Sequence, residues 1–367
     1  MIVALLLAVA WPGPAGAATT WTIQPVPLPA GGANGGLDSV SCTGARSCMA
    51  VGSDSLRRGQ ALAVHWNGST WTSKYLANAH TITLNAVSCA AADSCTAVGY
   101  GPGEQALAEY WNGSRWAVQP TPTPAGSASE LEAVSCPAAD SCTATGFIED
   151  PGGPLALADH WNGSTWTIQP TPAPAGESEV WLNGVSCASA DSCTAVGKAA
   201  NAGQGASLAE YWNGSTWAIQ PVPVPVGAED SGLAGVSCAS ADSCFAVGGY
   251  DNSSYNSLPL TEQWNGSTWT VQPVPLSSKA TGFLGGISCV SADSCTADGW
   301  DGPATAYGTA LAVYWHGSTW IRQATARPAS LKNFYAVSCV YARTCTAVGY
   351  SVNTGGSGQG QLVEREQ

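Results

Sequence analysis

Positive charge is what this chain most lacks. Lys and Arg number 12 against 25 Asp and Glu, a formal net charge of −13. A phosphate backbone would be repelled, so nucleic acid is not an expected partner. Charged residues of both signs make up only 10% of the 367 residues, and no window carries helical periodicity, which argues against a helical bundle. The longest apolar run, Ile2 to Ala10, is too short to span a bilayer, and no membrane span is expected. The histidines His65, His80, His160 and His316 stand isolated, and motifs of the GxSxG, HExxH and phosphate-loop kinds are absent.

Turn formers and tryptophan are abundant instead: 43 Gly, 23 Pro and 16 Trp, the composition of many short strands. The order is periodic. WNGSTWTIQP, from Trp161 to Pro170, has near-copies starting at Trp66, Trp111, Trp212, Trp264 and Trp315, and a half-copy, TTWTIQP, starts at Thr19. A repeat of about fifty residues read end to end implies one closed domain of similar modules, residues 18–367. Met1 to Ala17 reads as a secretory signal, with the triplet Ala15-Gly16-Ala17 before cleavage near Ala17 or Ala18, although a basic leading segment is missing. The expectation is a secreted, soluble, monomeric protein.

Fourteen cysteines form seven pairs at one spacing: Cys42/Cys48, Cys89/Cys95, Cys136/Cys142, Cys187/Cys193, Cys238/Cys244, Cys289/Cys295 and Cys339/Cys345. One pair per repeat with no neighbouring histidine reads as local disulfides in an oxidising compartment, with no metal and no cofactor.

Between tryptophan motifs the grammar is constant. Leu84 to Pro124 gives four short apolar runs, LNAVSC (strand A), CTAVGY (B), ALAEYW (C) and WAVQP (D), separated by turns, a four-stranded antiparallel meander. Asp93, Asp140, Asp191, Asp242 and Asp293 in the A–B turn are expected to bond nearby backbone amides. The C–D turn carries Asn-Gly; a four-residue connection would set Trp111 opposite Trp116, whereas a tight turn would not, and the first register is preferred. The sequons at Asn67, Asn112, Asn162, Asn213 and Asn265 are read as turn chemistry rather than glycosylation. Alternating prolines such as Pro170-Pro172-Pro174 end the sheet and can carry the chain from the outer strand of one module to the inner strand of the next. The first strand, Trp21 to Pro25, lacks a C partner, and Gln361 to Glu366 lacks a D partner. Joined, they complete a seventh module. The predicted fold is an all-β, seven-bladed β-propeller of four-stranded antiparallel blades, closed by pairing its terminal strands.

The grammar VSCxxxDSCTAVG followed by WNGSTWTxQ resembles the Asp-box (BNR) propeller repeats, and most of all repeats of the photosystem II assembly-factor type. It differs in carrying Asn67, Asn112, Asn162, Asn213 and Asn265, with His316 in one copy, where an Asp-box has Asp, and in adding a cysteine pair per repeat. The resemblance implies a fold and a structural role for the turn; it implies little about chemistry.

If A–B and C–D turns share one face, the B–C loops share the other with the linkers, and those loops differ most from blade to blade. At their entrance stand Tyr100, Phe147, Tyr250, Trp300 and Tyr350, either as packing between blades or as an aromatic ring for stacking on sugars, with Glu104, Asp251, Asn252, Tyr255 and Asp301 as polar neighbours. Glu109, Asp159, Glu210, Glu262 and Glu364 recur at one position of strand C and are read as structural or as a solvated face. No arginine cluster suits a sialidase. A non-catalytic binding or scaffolding module for extracellular protein or glycan is therefore expected. The alternatives are a polysaccharide-active glycosidase or lyase using Glu104, Glu149, Asp150 or Asp301, and an assembly factor for an extracellular complex.

Overall fold

The computed structural model describes residues 20–29, 35–54, 60–76, 82–122, 127–201, 204–276, 280–303, 308–326, 331–352 and 359–366. The signal-like segment 1–17 and parts of four B–C loops, Arg57 and Arg58 included, lie outside them.

The described residues form 28 strands and include no helix that is long and apolar enough to cross a membrane. After β1 (Trp21–Ile23), blade 1 is β2 to β5 (Gly35–Gly44, Ser47–Asp54, Gln60–Trp66, Trp71–Tyr75). Blade 2 is β6 to β9 (Thr83–Ala91, Ser94–Gly101, Gln105–Trp111, Trp116–Gln119), and blade 3 is β10 to β13 (Ser129–Ala138, Ser141–Ile148, Leu155–Trp161, Trp166–Ile168). Blade 4 is β14 to β17 (Glu179–Ser189, Ser192–Asn201, Gln204–Trp212, Trp217–Gln220), and blade 5 is β18 to β21 (Ala228–Ser240, Ser243–Asn252, Ser257–Trp264, Trp269–Val271). Blade 6 is β22 to β25 (Ala280–Ser291, Ser294–Pro303, Thr309–His316, Trp320–Arg322). Blade 7 is β26 to β28 (Leu331–Tyr341, Thr344–Val352, Gln359–Glu366) with β1 as its outer strand, in the order β1-β28-β27-β26. Trp21 pairs with Glu366, Thr22 with Arg365 and Ile23 with Glu364, so the ring closes as the two ends of the sequence require.

A blade cannot bury its own apolar faces, and the core lies between blades. Seven apolar clusters join each blade to the next; Leu37, Leu62 and Trp66 of blade 1 share one with Val348 and Val363 of blade 7. Across each C–D turn the tryptophans stand opposite one another, Trp111 with Trp116 for example, at ring distances of 5.4 to 5.8 Å in six blades. Asn67 shows the turn chemistry: its Oδ1 accepts from the Ser69 and Thr70 amides at 3.0 and 2.9 Å, and Gly68 adopts a φ of 95°, open to glycine at little cost. Among the described residues, the A–B aspartates accept from no backbone amide, contrary to the expectation. They lie against the glycine of the neighbouring turn; a Cβ on Gly113 would sit 2.8 Å from that of Asp93, so they wedge two adjacent turns together.

All seven disulfides form, each between residues six apart: Cys42–Cys48, Cys89–Cys95, Cys136–Cys142, Cys187–Cys193, Cys238–Cys244, Cys289–Cys295 and Cys339–Cys345. The bridges are the local ones the spacing predicts, and the two halves of each differ in burial. Cys48, Cys95, Cys142, Cys193, Cys244, Cys295 and Cys345 are only 1–2% exposed and belong to the apolar clusters between blades, whereas their partners are half-buried. The second cysteine opens strand B, an inner strand of the sheet covered by neighbouring blades. In five interfaces its sulfur also lies 3.5 to 3.8 Å from a threonine hydroxyl of the adjacent blade, as Cys193 does from Thr143. The bridges are thus part of the core as well as ties across a turn.

The serine before each first cysteine is also used. Strand A is innermost and has no partner strand towards the axis, and its cysteine amide donates to the serine hydroxyl of the preceding blade: Cys187 N to Ser135 Oγ at 2.9 Å, and, across the closure, Cys42 N to Ser338 Oγ at 2.9 Å. The belt runs through all seven interfaces. Ser135→Ala leaves the Cys187 amide without this partner and is expected to cost about 1–2 kcal/mol in denaturant unfolding. Ser114→Ala, in an exposed turn, should stay within about 0.5 kcal/mol. Equal effects at the two sites would remove the belt from the account.

Candidate functional site

In all seven blades strand A meets strand B with the same irregularity. In blade 2, Leu84 pairs with Gly99 and Ala86 with Val98, leaving Asn85 over. The extra residues are Asp38, Asn85, Glu132, Asn183, Ala234, Gly285 and Tyr335 in blades 1 to 7. A β-bulge re-aims the side chain it inserts, and all seven of these line the axial channel, a cavity of about 440 Å³. The bulge also explains the glycine that ends each AVG segment: a Cβ on Gly99 would lie 2.0 Å from the Thr83 carbonyl oxygen. Every blade keeps that glycine, while the inserted residue beside it changes from blade to blade.

The channel wall is asymmetric. Blades 1 to 4 present Asp38, Asn85, Glu132 and Asn183; blades 5 and 6 present Ala234 and Gly285; blade 7 presents Tyr335, 41% exposed. Burial raises the Asp38 carboxyl to about 6. Burial, then the charges of Glu130 and Asp38, raises Glu132 to about 7. Burial, then the neighbouring Tyr350, raises the Tyr335 phenol, and the two rings lie 5.4 Å apart.

Two cavities flank the channel on the loop face. Between blades 2 and 3, Tyr100, Phe147 and Glu104 come together with Glu130 and Glu149 around about 230 Å³. Burial raises the Glu130 carboxyl, opposed by the Asn85 hydrogen bond and reinforced by Glu104 and Glu149. Asn85 links this cavity to the channel, donating to Glu130 Oε1 at 2.9 Å and to the Leu131 carbonyl at 3.1 Å. Between blades 4 and 5, Tyr250 and Asp251 line about 310 Å³ with Lys198 and Asp230, whose charges pair at 2.8 Å. Asn183 borders both this cavity and the channel and donates to the Leu233 carbonyl at 2.9 Å.

The remaining sequence-predicted residues are dispersed. Tyr350 lies against Tyr335 near the channel and accepts from Asn333 Nδ2 at 3.1 Å. Trp300 covers Gly308. All five entrance aromatics are half-buried, and among the described residues no two of them make a ring contact. Asp251 accepts from Ser257 Oγ at 2.6 Å, and Asn252 Oδ1 accepts from the amides of Ser254 and Asn256. Tyr255 is 88% exposed. Asp301 is 2% exposed, and both its oxygens are held by Arg322 at 2.5 and 2.8 Å, a placement that turns it away from solvent. Asp150 caps its own loop by accepting from the Gly152 amide at 3.0 Å. The strand C carboxylates are not a solvated face: Asp159, Glu210, Glu262 and Glu364 are fully buried and Glu109 nearly so.

The channel-facing residues escaped the sequence reading, although a signal existed. In LDSVSC, LNAVSC, LEAVSC, LNGVSC, LAGVSC, LGGISC and FYAVSC the second position is the one that keeps no character from copy to copy. Only the bulge shows that this position points to the axis.

No family model matches the chain, and no curated protein matches it in sequence. Solved structures share its fold at low identity. YCF48 from Cyanidioschyzon merolae is 14% identical with a TM-score of 0.56, covering 94% of this chain and 98% of that one. A structure of YCF48 bound to D1 peptide is 12% identical with a TM-score of 0.56, covering 94% and 96%. An ulvan lyase from a new polysaccharide lyase family is 8% identical with a TM-score of 0.58, covering 90% and 94%. At these identities the likeness is one of fold.

Proposed function

We propose that this protein is an exported binding or scaffolding module that holds an extended ligand, a protein segment or a glycan, across its loop face at the mouth of the axial channel. One observation carries this reading. The frame repeats almost unchanged through seven blades, and the variation gathers at the bulged channel residues and the B–C loops that open beside them. Scaffold side chains are fixed by packing, whereas side chains that contact a ligand are free to differ between blades. Export is supported by seven formed disulfides.

The test uses a plug. Ala234→Trp projects an indole into the channel from a position that now holds a methyl group. Screened on peptide and oligosaccharide arrays, the parent protein is expected to give saturable binding, and the variant, with an unchanged thermal midpoint, should bind at least about tenfold more weakly, equivalent to about 1.4 kcal/mol. Silence on both arrays, or binding indifferent to the plug, would sink the proposal. Release of sugar products from a polysaccharide would favour the enzyme reading, with Glu104, Glu130 and Glu149 as the carboxylates to substitute first.

A further inference from the structure

We infer that the channel mouth is a receptor for the guanidinium or ammonium group of a basic side chain on an extended protein segment; this rests on the binding role proposed above. The inference comes from what the wall offers to hydrogen-bond. Asp38 and Glu132 present carboxyls that are ionised above about 6 and about 7, and neither has a hydrogen-bonding partner or an ion pair among the described residues. Asn85 spends both amide protons on Glu130 and Leu131, and Asn183 spends one on Leu233. Their carbonyl oxygens are left as acceptors. The wall is thus rich in acceptors and poor in donors, and no Lys, Arg or His is among the described residues lining the channel or the blade 2–blade 3 cavity. An anionic ligand such as a uronate would meet only repulsion. A guanidinium, with five donors and no acceptor, matches the wall.

Shape points to a side chain rather than to an amino sugar. Asp38 is recessed, and below the bulge level the wall is a ring of aliphatic groups, Val40, Val87 and Val134 among them. A slim apolar stem with a charge at its end fits such a well, as Lys and Arg do when the stem is buried and the head finds polar partners. Tyr335 supplies an aromatic face at the rim, where a cation gains further attraction. Glu104, Glu130 and Glu149 offer a second acidic cavity next to the first, joined to it through Asn85, so a segment with spaced basic residues would engage both.

The experiment measures binding by fluorescence anisotropy of a labelled peptide carrying three arginines spaced by glycine and serine. Its probes for comparison are the same peptide with citrulline at those positions, which keeps the shape and removes the charge, and a chitosan oligosaccharide. The arginine peptide is expected to bind, the citrulline peptide at least about tenfold more weakly, and the Asp38→Asn/Glu132→Gln double variant, checked for an unchanged thermal midpoint, about tenfold or more below the parent. A control pair on the opposite face, Asp93→Asn/Asp191→Asn, should bind the arginine peptide as the parent does; equal weakening there would mean unspecific attraction to an acidic protein and would overturn the inference. Citrulline binding as tightly as arginine would overturn it too, as would chitosan binding where the peptide does not. If some ligand is blocked by Ala234→Trp but unaffected by Asp38→Asn/Glu132→Gln, the binding role stands and the cation preference falls.

Discussion

Raising the pH from 6.5 to 8 should destabilise this protein by on the order of several kcal/mol. The main cause is the row of strand C carboxyls; Glu132, raised to about 7 at the channel, and the fully buried Asp298, also raised by burial, act in the same direction. Asp159, Glu210 and Glu262 are fully buried, and none of their carboxyl oxygens has a hydrogen-bonding partner among the described residues. Burial alone raises them from 3.8 or 4.5 to about 7, 8 and 8. Between the ordinary and the raised value each group keeps its proton in the folded chain and loses it in the unfolded chain. The folded state then holds more protons, and stability falls with rising pH until the raised value is passed. The contribution is complete below pH 4 and spent above about 8. Burial also lowers His65 and His160; those shifts act in the opposite sense, but only below about 6.5, so the window above it isolates the carboxyls.

Chemistry explains why these groups stand unpaired. Glu364, at the same position in blade 7, accepts at Oε2 from the Ala326 amide at 3.1 Å in the linker that enters its blade. The repeat places Pro122, Pro172 and Pro223 where Ala326 stands, in the linkers that enter the blades of Asp159, Glu210 and Glu262. Proline has no N–H to give. The neutral acid is therefore the form these sites can hold. Guanidinium unfolding at pH 6.5, 7.25 and 8 checks the slope. Replacing Glu210 and Glu262 with glutamine, uncharged at every pH, should flatten it by up to about 1.4 kcal/mol per pH unit for each group. A slope unchanged in that double variant would place the pH dependence elsewhere.

Trp21→Ala should cost about 3–5 kcal/mol, the loss typical of a buried tryptophan, even though Trp21 stands at the first strand of the chain. A terminal strand of three residues would normally fray. This one is the outer strand of blade 7, and its indole is 3% exposed, 6.0 Å from the Phe334 ring, with Nε1 donating to Gln323 of blade 6 at 3.1 Å. The same bond recurs inside the ring, from Trp166 to Gln119, Trp217 to Gln169 and Trp269 to Gln220. Trp166→Ala should therefore cost about as much as Trp21→Ala. The closure has other fastenings: Arg365 donates to the Ala45 carbonyl at 2.8 Å and lies over the Trp66 ring at 4.7 Å. For that reason the variant is expected to fold, with a lower denaturation midpoint. A cost below about 1 kcal/mol for Trp21→Ala, with the full cost at Trp166, would mean that the ring does not depend on its terminal strand.

Much of the fold was legible because it is written seven times. A single Cys-x5-Cys or Asn-Gly is ambiguous, whereas the same order of strand, turn and linker in every copy leaves few arrangements that bury the apolar faces. The opposition of Trp111 and Trp116 and the completion of blade 7 by Trp21 to Ile23 follow from that order. The site was legible only in outline. Tyr100, Phe147 and Glu104 do share one cavity, yet their partners Glu130 and Glu149 come from strand A and the loop of the next blade. Asp301 carried no sign that Arg322, on the outer strand, would hold both its oxygens. Glu210 and Glu262 read as polar positions, since a strand alternating in sequence does not say whether its second face meets water or another sheet. The same blindness hid the difference between Cys187 and Cys193, equal in the sequence and unequal once blades pack.

By itself the sequence determined the number of blades, the pairing of cysteines and the way the ring closes, since each follows from local turns and strand periodicity repeated until the ends meet. Tertiary structure decided which residues face the axis and which carboxyls lose their water. Both depend on one offset in pairing, the bulge after Leu84 and its counterparts, and on the distance between neighbouring sheets. Neither quantity is fixed locally, because each is set by the packing of seven blades around a common centre.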